Sequence, residues 1–309
     1  MLLHQTSGRW RWGLTLSLIA TFLWGILPIA LAVVLQELDV YTVTWFRFLI
    51  AFGVLAAYLA SRQQLPNLQK LRSASLGLLA IATAFLGLNY LFFLQGLVHT
   101  SPTTSEVVIQ LAPVLLSLGA LAIFKERYTL RQWVGLGVLA LGFVLFFHEQ
   151  LKTMFTARDT YLLGYGLLVL GAITWAIYAL AQKQLLLKLP SASIMLVIYA
   201  GCTILFSPLS APPTILTLSP LQLGLLLFCG LNTLLAYGAF AEALEHWEAS
   251  RVSAVIALAP FITMVSVWAV SLLTPTLIAP EHLTILGVLG AVLVVVGSVA
   301  IALGKKPVG

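Results

Sequence analysis

The sequence predicts an all-α membrane protein whose ten transmembrane helices form two inverted repeats of five helices each. Three observations predict it: a very apolar composition, ten separate apolar runs, and a residue pattern that recurs halfway along the chain. Hydrophobic residues make up 61% of the 309 residues and charged residues only 8%, with a mean hydropathy of +1.04. Soluble domains carry about 25% charged residues and could not bury so much apolar surface. The composition therefore excludes a soluble enzyme, a nucleic-acid binder and a disordered protein.

Ten apolar runs approach or exceed the length of about 20 residues that a helix needs to cross the hydrocarbon core. Polar and Pro-containing stretches separate these runs. Ser101-Pro102, for example, has the sequence of an N-cap followed by proline in the first helical turn. No room remains for a sizeable soluble domain. The predicted spans are residues 13–35, 41–60, 74–97, 102–124, 131–148, 160–181, 191–208, 218–241, 250–273 and 283–303.

The distribution of Lys and Arg predicts that both termini lie in the cytoplasm. With ten spans and the N-terminus inside, thirteen basic residues fall on the inner side and two, Lys152 and Arg158, on the outer side. Cytoplasmic loops of membrane proteins are enriched in Lys and Arg. This orientation accounts for the net charge of +6 without a nucleic-acid partner. The predicted location is the plasma membrane of a bacterium.

Residues recur in the same order in two halves, 1–150 and 151–309. His99 precedes Pro113 by fourteen residues, and His246 precedes Pro260 by the same distance. Because each half holds an odd number of spans, the second copy must insert upside down relative to the first, as in transporters that expose one site alternately to each side. Further pairs are LWG at 23–25 with TWA at 174–176, GLNY at 87–90 with GLNT at 230–233, and Glu126, Gly135 and Gly142 with Glu281, Gly290 and Gly297.

Several of these segments resemble the EamA repeat of the drug/metabolite transporter superfamily. The segments are LWG at 23–25, WFRFLIA at 45–51, TWAIYAL at 174–180 and ASRVSAVIALAP at 249–260, together with the repeated Pro–Glu–Gly–Gly pattern. The resemblance covers about residues 13–303. It implies ten helices, a central cavity lined mainly by spans one, three, four, six, eight and nine, and secondary transport of small metabolites, often the export of amino acids.

Two charged residues lie well inside predicted spans, away from the span ends. Arg47 lies about 9 Å from the outer end of span two, at 1.5 Å per residue, and Glu106 lies at a similar depth in span four. A charge inside a membrane is costly and usually has a partner, which favours a structural ion pair between them. Arg47 is alternatively a ligand for a carboxylate, or its side chain reaches the interface. Glu106 is alternatively a proton-coupling site or a carboxylate stabilised near a helix N-terminus.

Other residues are candidates for the cavity or for helix distortion. Asn and Gln side chains in a membrane either line a cavity or join helices, and deep aromatic residues either pack in the core or contact a solute. Pro28, Pro113 and Pro260 are predicted to kink their helices, either as static features or to ease rocking. The predicted cavity residues are Trp24, Asn89, Tyr90, Gln110, Trp175, Tyr178, Asn232 and Tyr237.

The predicted function is secondary transport of small organic metabolites, with amino acids or related compounds as the expected solutes. No cofactor, metal site or catalytic residue is predicted, and the protein is expected to be a monomer or a homodimer. One alternative is a membrane-embedded enzyme acting on a lipid, for which only the cluster at Glu242, Glu245, His246 and Glu248 offers acids and a histidine at headgroup level. That cluster is otherwise a solvated loop or a gate. A non-transporting scaffold is the other alternative.

Overall fold

The computed structural model describes residues 7–66, 71, 75–124, 129–146, 148, 159–274, 277 and 284–302. These residues are mainly α-helical, with two 3-10 helices after α8, and they contain no β-strand. The predicted all-α class is therefore confirmed for the described part of the chain. The α-helices are α1 (Trp10–Val34), α2 (Val40–Ser61), α3 (Leu76–His99), α4 (Pro102–Ile109), α5 (Leu111–Phe124), α6 (Leu130–Phe146), α7 (Asp159–Leu185), α8 (Ser191–Phe206), α9 (Pro220–His246), α10 (Ala249–Ile256), α11 (Ala259–Leu273) and α12 (Ile285–Ala302).

Six helical segments of the described residues are long and apolar enough to cross a membrane. They correspond to predicted spans one, two, three, six, seven and eight. Helices α6, α11 and α12 are apolar but shorter. The multi-pass membrane character of the chain is thus evident, while the number of ten spans stays a prediction.

Predicted spans four and nine are each interrupted once near a proline. Helix α4 ends at Ile109 and α5 follows after one residue, whereas α10 ends at Ile256 and α11 follows after two. Pro113 and Pro260 have no N–H with which to bond the carbonyls of Ile109 and Ile256, and each interruption comes directly after that carbonyl. Pro28, by contrast, lies inside an uninterrupted α1.

Helices α6 and α12 pack very closely against each other. They run antiparallel, with Gly135 facing Gly297 and Gly142 facing Gly290. A β-carbon on any of these four glycines would lie less than 3 Å from backbone atoms of the other helix. Small residues permit such close approach in membranes, where packing rather than the hydrophobic effect holds helices together.

Helices from the two halves of the sequence interleave. Helix α1 packs along α9, and α3 packs along α7, in both cases antiparallel; α2 contacts α8 and α9, and α8 also contacts α3. Contacts between halves outnumber those within a half, so the described helices share one core. Glu126 and Glu281, which mark the predicted loops after spans four and nine, lie outside the described residues, as do both ends of the chain.

Candidate functional site

A cavity of about 70 Å³ lies in the middle of the helices, beside the break between α4 and α5. Its wall comes from predicted spans one, two, three, four, six, eight and nine. These are the six spans that the EamA resemblance implies, with span two added. The lining residues are Trp24, Leu27, Pro28, Arg47, Asn89, Tyr90, Phe93, Leu94, Glu106, Ile109, Gln110, Ala112, Trp175, Tyr237 and Ile256.

Arg47 brings a buried cation to this wall. Only 2% of the residue is exposed, and its guanidinium carbon lies 4.3 Å from the centre of the Tyr90 ring. Its Nε donates a hydrogen bond to Thr233 Oγ1 at 3.0 Å. The terminal nitrogens, with four N–H donors, have no acceptor among the described residues. The Tyr90 ring therefore holds one face of the guanidinium, and Thr233 holds its Nε. The N–H groups of the two terminal nitrogens remain available to a ligand.

Thr233 is the residue that fixes this arrangement. Its Oγ1 accepts hydrogen bonds from Arg47 at 3.0 Å and from Tyr90 Oη at 3.2 Å, and it donates to the carbonyl of Cys229 at 2.9 Å. A hydroxyl has one donor and two acceptor lone pairs, so all three are in use. The carbonyl of Thr233 also accepts from Tyr199 Oη at 3.0 Å. Saturated buried networks of this kind rigidify their members.

Glu106 brings a buried carboxylate to the same wall. It lies in the second turn of α4, whose predicted N-cap is confirmed because Ser101 Oγ accepts the Thr104 N–H at 3.2 Å and Pro102 is the first helical residue. Only 5% of Glu106 is exposed. No hydrogen bond or ion pair joins it to any described residue, Arg47 included. Arg47 and Glu106 therefore line one cavity without bonding to one another.

Aromatic rings form one side of the cavity. Trp24 contacts Trp175, with ring centres 6.1 Å apart and planes at 79°, and Tyr237, with centres 5.0 Å apart and planes at 72°. Edge-to-face contacts of this kind add stability beyond the area they bury. Phe240 packs behind Trp24 and Trp175 at 5.5 and 5.0 Å. The result is an aromatic cluster on the wall of the same cavity that Arg47 and Glu106 line.

Asn89 and Gln110 supply amides to the wall. Asn89 Nδ2 donates to the carbonyl of Gly171 at 3.0 Å, and its Oδ1 accepts from Tyr237 Oη at 3.3 Å. This amide therefore joins helices as well as lining the cavity. Gln110 lies in the break between α4 and α5, and its buried Oε1 has no partner in the described part of the chain. An orphaned buried acceptor costs about 1–3 kcal/mol, which a solute with a donor would recover.

Two of the predicted cavity residues lie behind the wall. Tyr178 is fully buried, and its hydroxyl donates to Met195 Sδ at 3.5 Å. Asn232 Nδ2 donates to the carbonyl of Leu23 at 2.7 Å and so joins α9 to α1. Each side chain donates a hydrogen bond to a neighbouring helix, which is the alternative that the sequence left open. Asn232 Oδ1 is buried and has no partner among the described residues.

Thr233 was not among the residues singled out from the sequence, although a signal for it existed. It occupies the position of Tyr90 in the repeated GLNY and GLNT segments, and the two side chains meet at 3.2 Å. Repeat-related residues also meet at Trp24 and Trp175. Two pairs of residues that hold matching positions in the repeated segments are thus in contact at the cavity.

The Glu242–Glu248 cluster lies away from this cavity. Ser7 Oγ and His246 Nδ1 are 2.8 Å apart, and His246 Nε2 lies 3.7 Å from Glu242 Oε1. Glu248 pairs with Arg251 at 3.1 Å. The cluster thus ties the start of the chain to the end of α9. Within the described ranges, no group of three or more His, Cys, Asp or Glu residues is arranged to hold a metal ion.

The EamA-like transporter family matches the chain at residues 11–148 and 162–303. The chain belongs to this family. Membership confirms the resemblance found in the sequence and makes the chain a membrane transporter, with the buried cavity as its candidate site.

Named relatives are transporters as well. The chain is 41% identical over 295 residues to "Uncharacterized inner membrane transporter YhbE" of Escherichia coli (strain K12), covering 95% of this chain and 92% of the relative. It is 37% identical over 294 residues to an "Uncharacterized transporter" of Haemophilus influenzae, covering 95% of each. A solved structure, "Crystal structure of protein", shares 17% identity over 93% of this chain and 95% of its own, with a TM-score of 0.66. That likeness shows a common fold.

Proposed function

We propose that the chain is a secondary transporter of zwitterionic metabolites of the amino-acid type, working by alternating access in a bacterial inner membrane. The observation that carries the proposal is that Arg47 and Glu106 line one buried cavity without forming an ion pair. Burying a charge costs several kcal/mol unless it is paired. A solute carrying one negative and one positive group would pair both side chains at once.

The geometry suggests a role for each part of the wall. The free donors of Arg47 suit a carboxylate, because guanidinium and carboxylate form bidentate hydrogen bonds. Glu106 suits a primary ammonium. The rings of Trp24, Trp175 and Tyr237 suit an apolar or aromatic side chain. The cavity of about 70 Å³ is smaller than the roughly 300–1,000 Å³ of most ligand pockets, so the helices must separate further to admit a solute.

The proposed mechanism has ten spans in two inverted halves with both termini in the cytoplasm; the helix packing supports the inverted halves, and the distribution of Lys and Arg supports the orientation. The pair α1–α9 joins the first span of the first half to the third span of the second half. The pair α3–α7 joins the third span of the first half to the first span of the second half, so the two pairs correspond when the halves are exchanged. The pair α6–α12 joins the fifth spans and is its own counterpart. Two separate family matches of similar length also support the repeat. Such halves rock about an axis in the membrane plane.

Transport of chemically edited solutes tests the assignment of the two charges. The purified chain in proteoliposomes is assayed by counterflow with a radiolabelled amino acid, its carboxamide and its N-acetyl derivative. Wild type should favour the amino acid over both by about 30-fold or more, since truncating one partner of a buried charge pair costs about 2–5 kcal/mol. Arg47→Gln should lose the preference over the carboxamide, and Glu106→Gln the preference over the N-acetyl compound.

Exposed charges elsewhere provide matched controls. Glu37→Gln and Arg131→Gln neutralise the same charges at exposed positions and should keep both preferences. If Arg47→Gln and Glu106→Gln keep them too, the cavity does not bind a zwitterion through these side chains. If the preference over the N-acetyl compound survives in Glu106→Gln while accumulation driven by a pH gradient is lost, Glu106 couples protons instead of binding the ammonium.

A further inference from the structure

A second, larger cavity of about 840 Å³ opens on the lipid-facing surface between α1, α2 and α9. We call it the α1–α2–α9 groove. Its wall is apolar, with Leu18, Phe22, Val54 and Leu235 each 43–56% exposed. Gly238 lies in the wall, and a β-carbon there would meet no atom of the described residues within 4 Å. The groove is therefore an open depression in the surface that faces the bilayer.

The length of the groove matches one leaflet of a membrane. On α9 it extends from Leu234 to Glu242, which is about 12 Å at 1.5 Å per residue. Half of a hydrocarbon core is about 15 Å. The end at Glu242 lies at the same face of the protein as the start of the described chain, since Trp12 Nε1 donates to Glu242 Oε1 at 3.4 Å. An acyl chain from that leaflet fits the groove lengthwise.

Opposite charges flank the end of the groove at this face. The side chain of Glu242 is 45% exposed and forms part of the wall. Tyr58 also lines the wall, and the guanidinium carbon of Arg62 lies 5.8 Å from its ring centre. Arg62 is exposed and forms no ion pair with any described residue. A headgroup at this end would meet an anion on α9 and a cation at the end of α2.

We propose that the α1–α2–α9 groove is a binding site for a phospholipid with a phosphoethanolamine headgroup. One acyl chain lies along the groove, the phosphate contacts Arg62, and the primary ammonium donates a hydrogen bond to Glu242. A phosphocholine headgroup cannot donate this bond because its nitrogen is quaternary, and a phosphoglycerol headgroup carries no cation. The site lies apart from the cavity, so the proposal does not depend on the transported solute.

Native mass spectrometry of the full chain tests the proposal. The purified protein is incubated with equal amounts of phosphatidylethanolamine, phosphatidylcholine and phosphatidylglycerol that carry identical acyl chains. Wild type should retain phosphatidylethanolamine about tenfold more than either competitor, the difference that one charge-assisted hydrogen bond supplies. Glu242→Gln should bind phosphatidylethanolamine and phosphatidylcholine alike, whereas Glu245→Gln, one turn further along α9, should keep the preference.

Two substitutions on α9 test whether the lipid binds in the groove or elsewhere on the surface. Gly238→Leu fills the groove and should remove the selectively bound lipid. Gly224→Leu places the same side chain on α9 at another position with open space, and it should behave as wild type. Equal retention of the three lipids by wild type would overturn the headgroup assignment, and unchanged retention in Gly238→Leu would show that the lipid binds elsewhere.

Discussion

Replacing Gly142 by alanine should destabilise the protein, although alanine is the better helix former. A β-carbon at this position would lie 2.5 Å from the amide nitrogen of Val294 and 2.8 Å from the carbonyl oxygen of Gly290. Both are backbone atoms and cannot rotate away. The methyl group can be accommodated only if α6 and α12 move apart. Gly137, on the same helix, faces open space within 4 Å.

The magnitude follows from what the displacement does to the interface. A gap of about 0.5–1 Å forfeits a quarter to a half of the dispersion energy of the atoms on either side, and overpacking typically costs about 1–3 kcal/mol. The gain from replacing glycine in a helix is about 0.5–1 kcal/mol. Gly142→Ala should therefore lower the free energy of unfolding by about 1–2 kcal/mol, and Gly137→Ala should leave it unchanged or raise it slightly.

Denaturation by SDS in mixed micelles, followed by circular dichroism, measures this difference. Wild type, Gly142→Ala and Gly137→Ala are compared at the same protein concentration, so that only the position of the methyl group differs. If Gly142→Ala is as stable as Gly137→Ala, the two helices do not approach at these glycines, and the packing argument for the pair α6–α12 fails.

Three further outcomes are expected. Thr233→Val, which keeps the side-chain shape but loses the bonds to Arg47 and Tyr90, should weaken binding of carboxylate solutes by about tenfold in counterflow, as expected for loss of one or two hydrogen bonds. Gln182→Leu should raise the SDS-unfolding free energy by about 1–3 kcal/mol, because neither polar atom of that buried side chain has a partner within the described ranges. Ser253→Cys, at a site 2% exposed here, should react with a membrane-impermeant thiol reagent in transporting vesicles but not in protein held in this conformation.

The helical class was predictable because it depends on composition, and the helix breaks were predictable because proline lacks an N–H. The interruptions after Ile109 and Ile256 follow from Pro113 and Pro260, and yet Pro28 leaves α1 intact. Proline removes the same bond in each case, so the surroundings decide whether the helix breaks. The sequence does not show the neighbouring helices; it predicted a kink at each of the three prolines, and it did not indicate which kinks would interrupt the helix.

The sequence indicated several residues that line the cavity, but it did not indicate which partners they would bond. Arg47 and Glu106 were recognisable because charges inside apolar runs are rare, and the structure places both on one wall. Their expected ion pair is not formed among the described residues, because Arg47 is held by Tyr90 and Thr233 instead. Differences of about an ångström in distance decide which of several nearby partners a side chain bonds. The spacing of residues along the sequence does not determine those distances.

Charge distinguishes the two halves of the chain, although their repeated residues otherwise correspond. The position of Glu106 in the first half is Ser253 in the second, and the position of Arg47 falls near Ile198 or Tyr199. Ser253 and Ile198 are buried, with 2% and 0% exposure, and neither is among the residues that line the cavity. Under the proposed mechanism, the first half would bind the charges of the solute in both conformations. The second half would then supply mainly aromatic and apolar surface, which can slide past a solute without breaking ionic bonds.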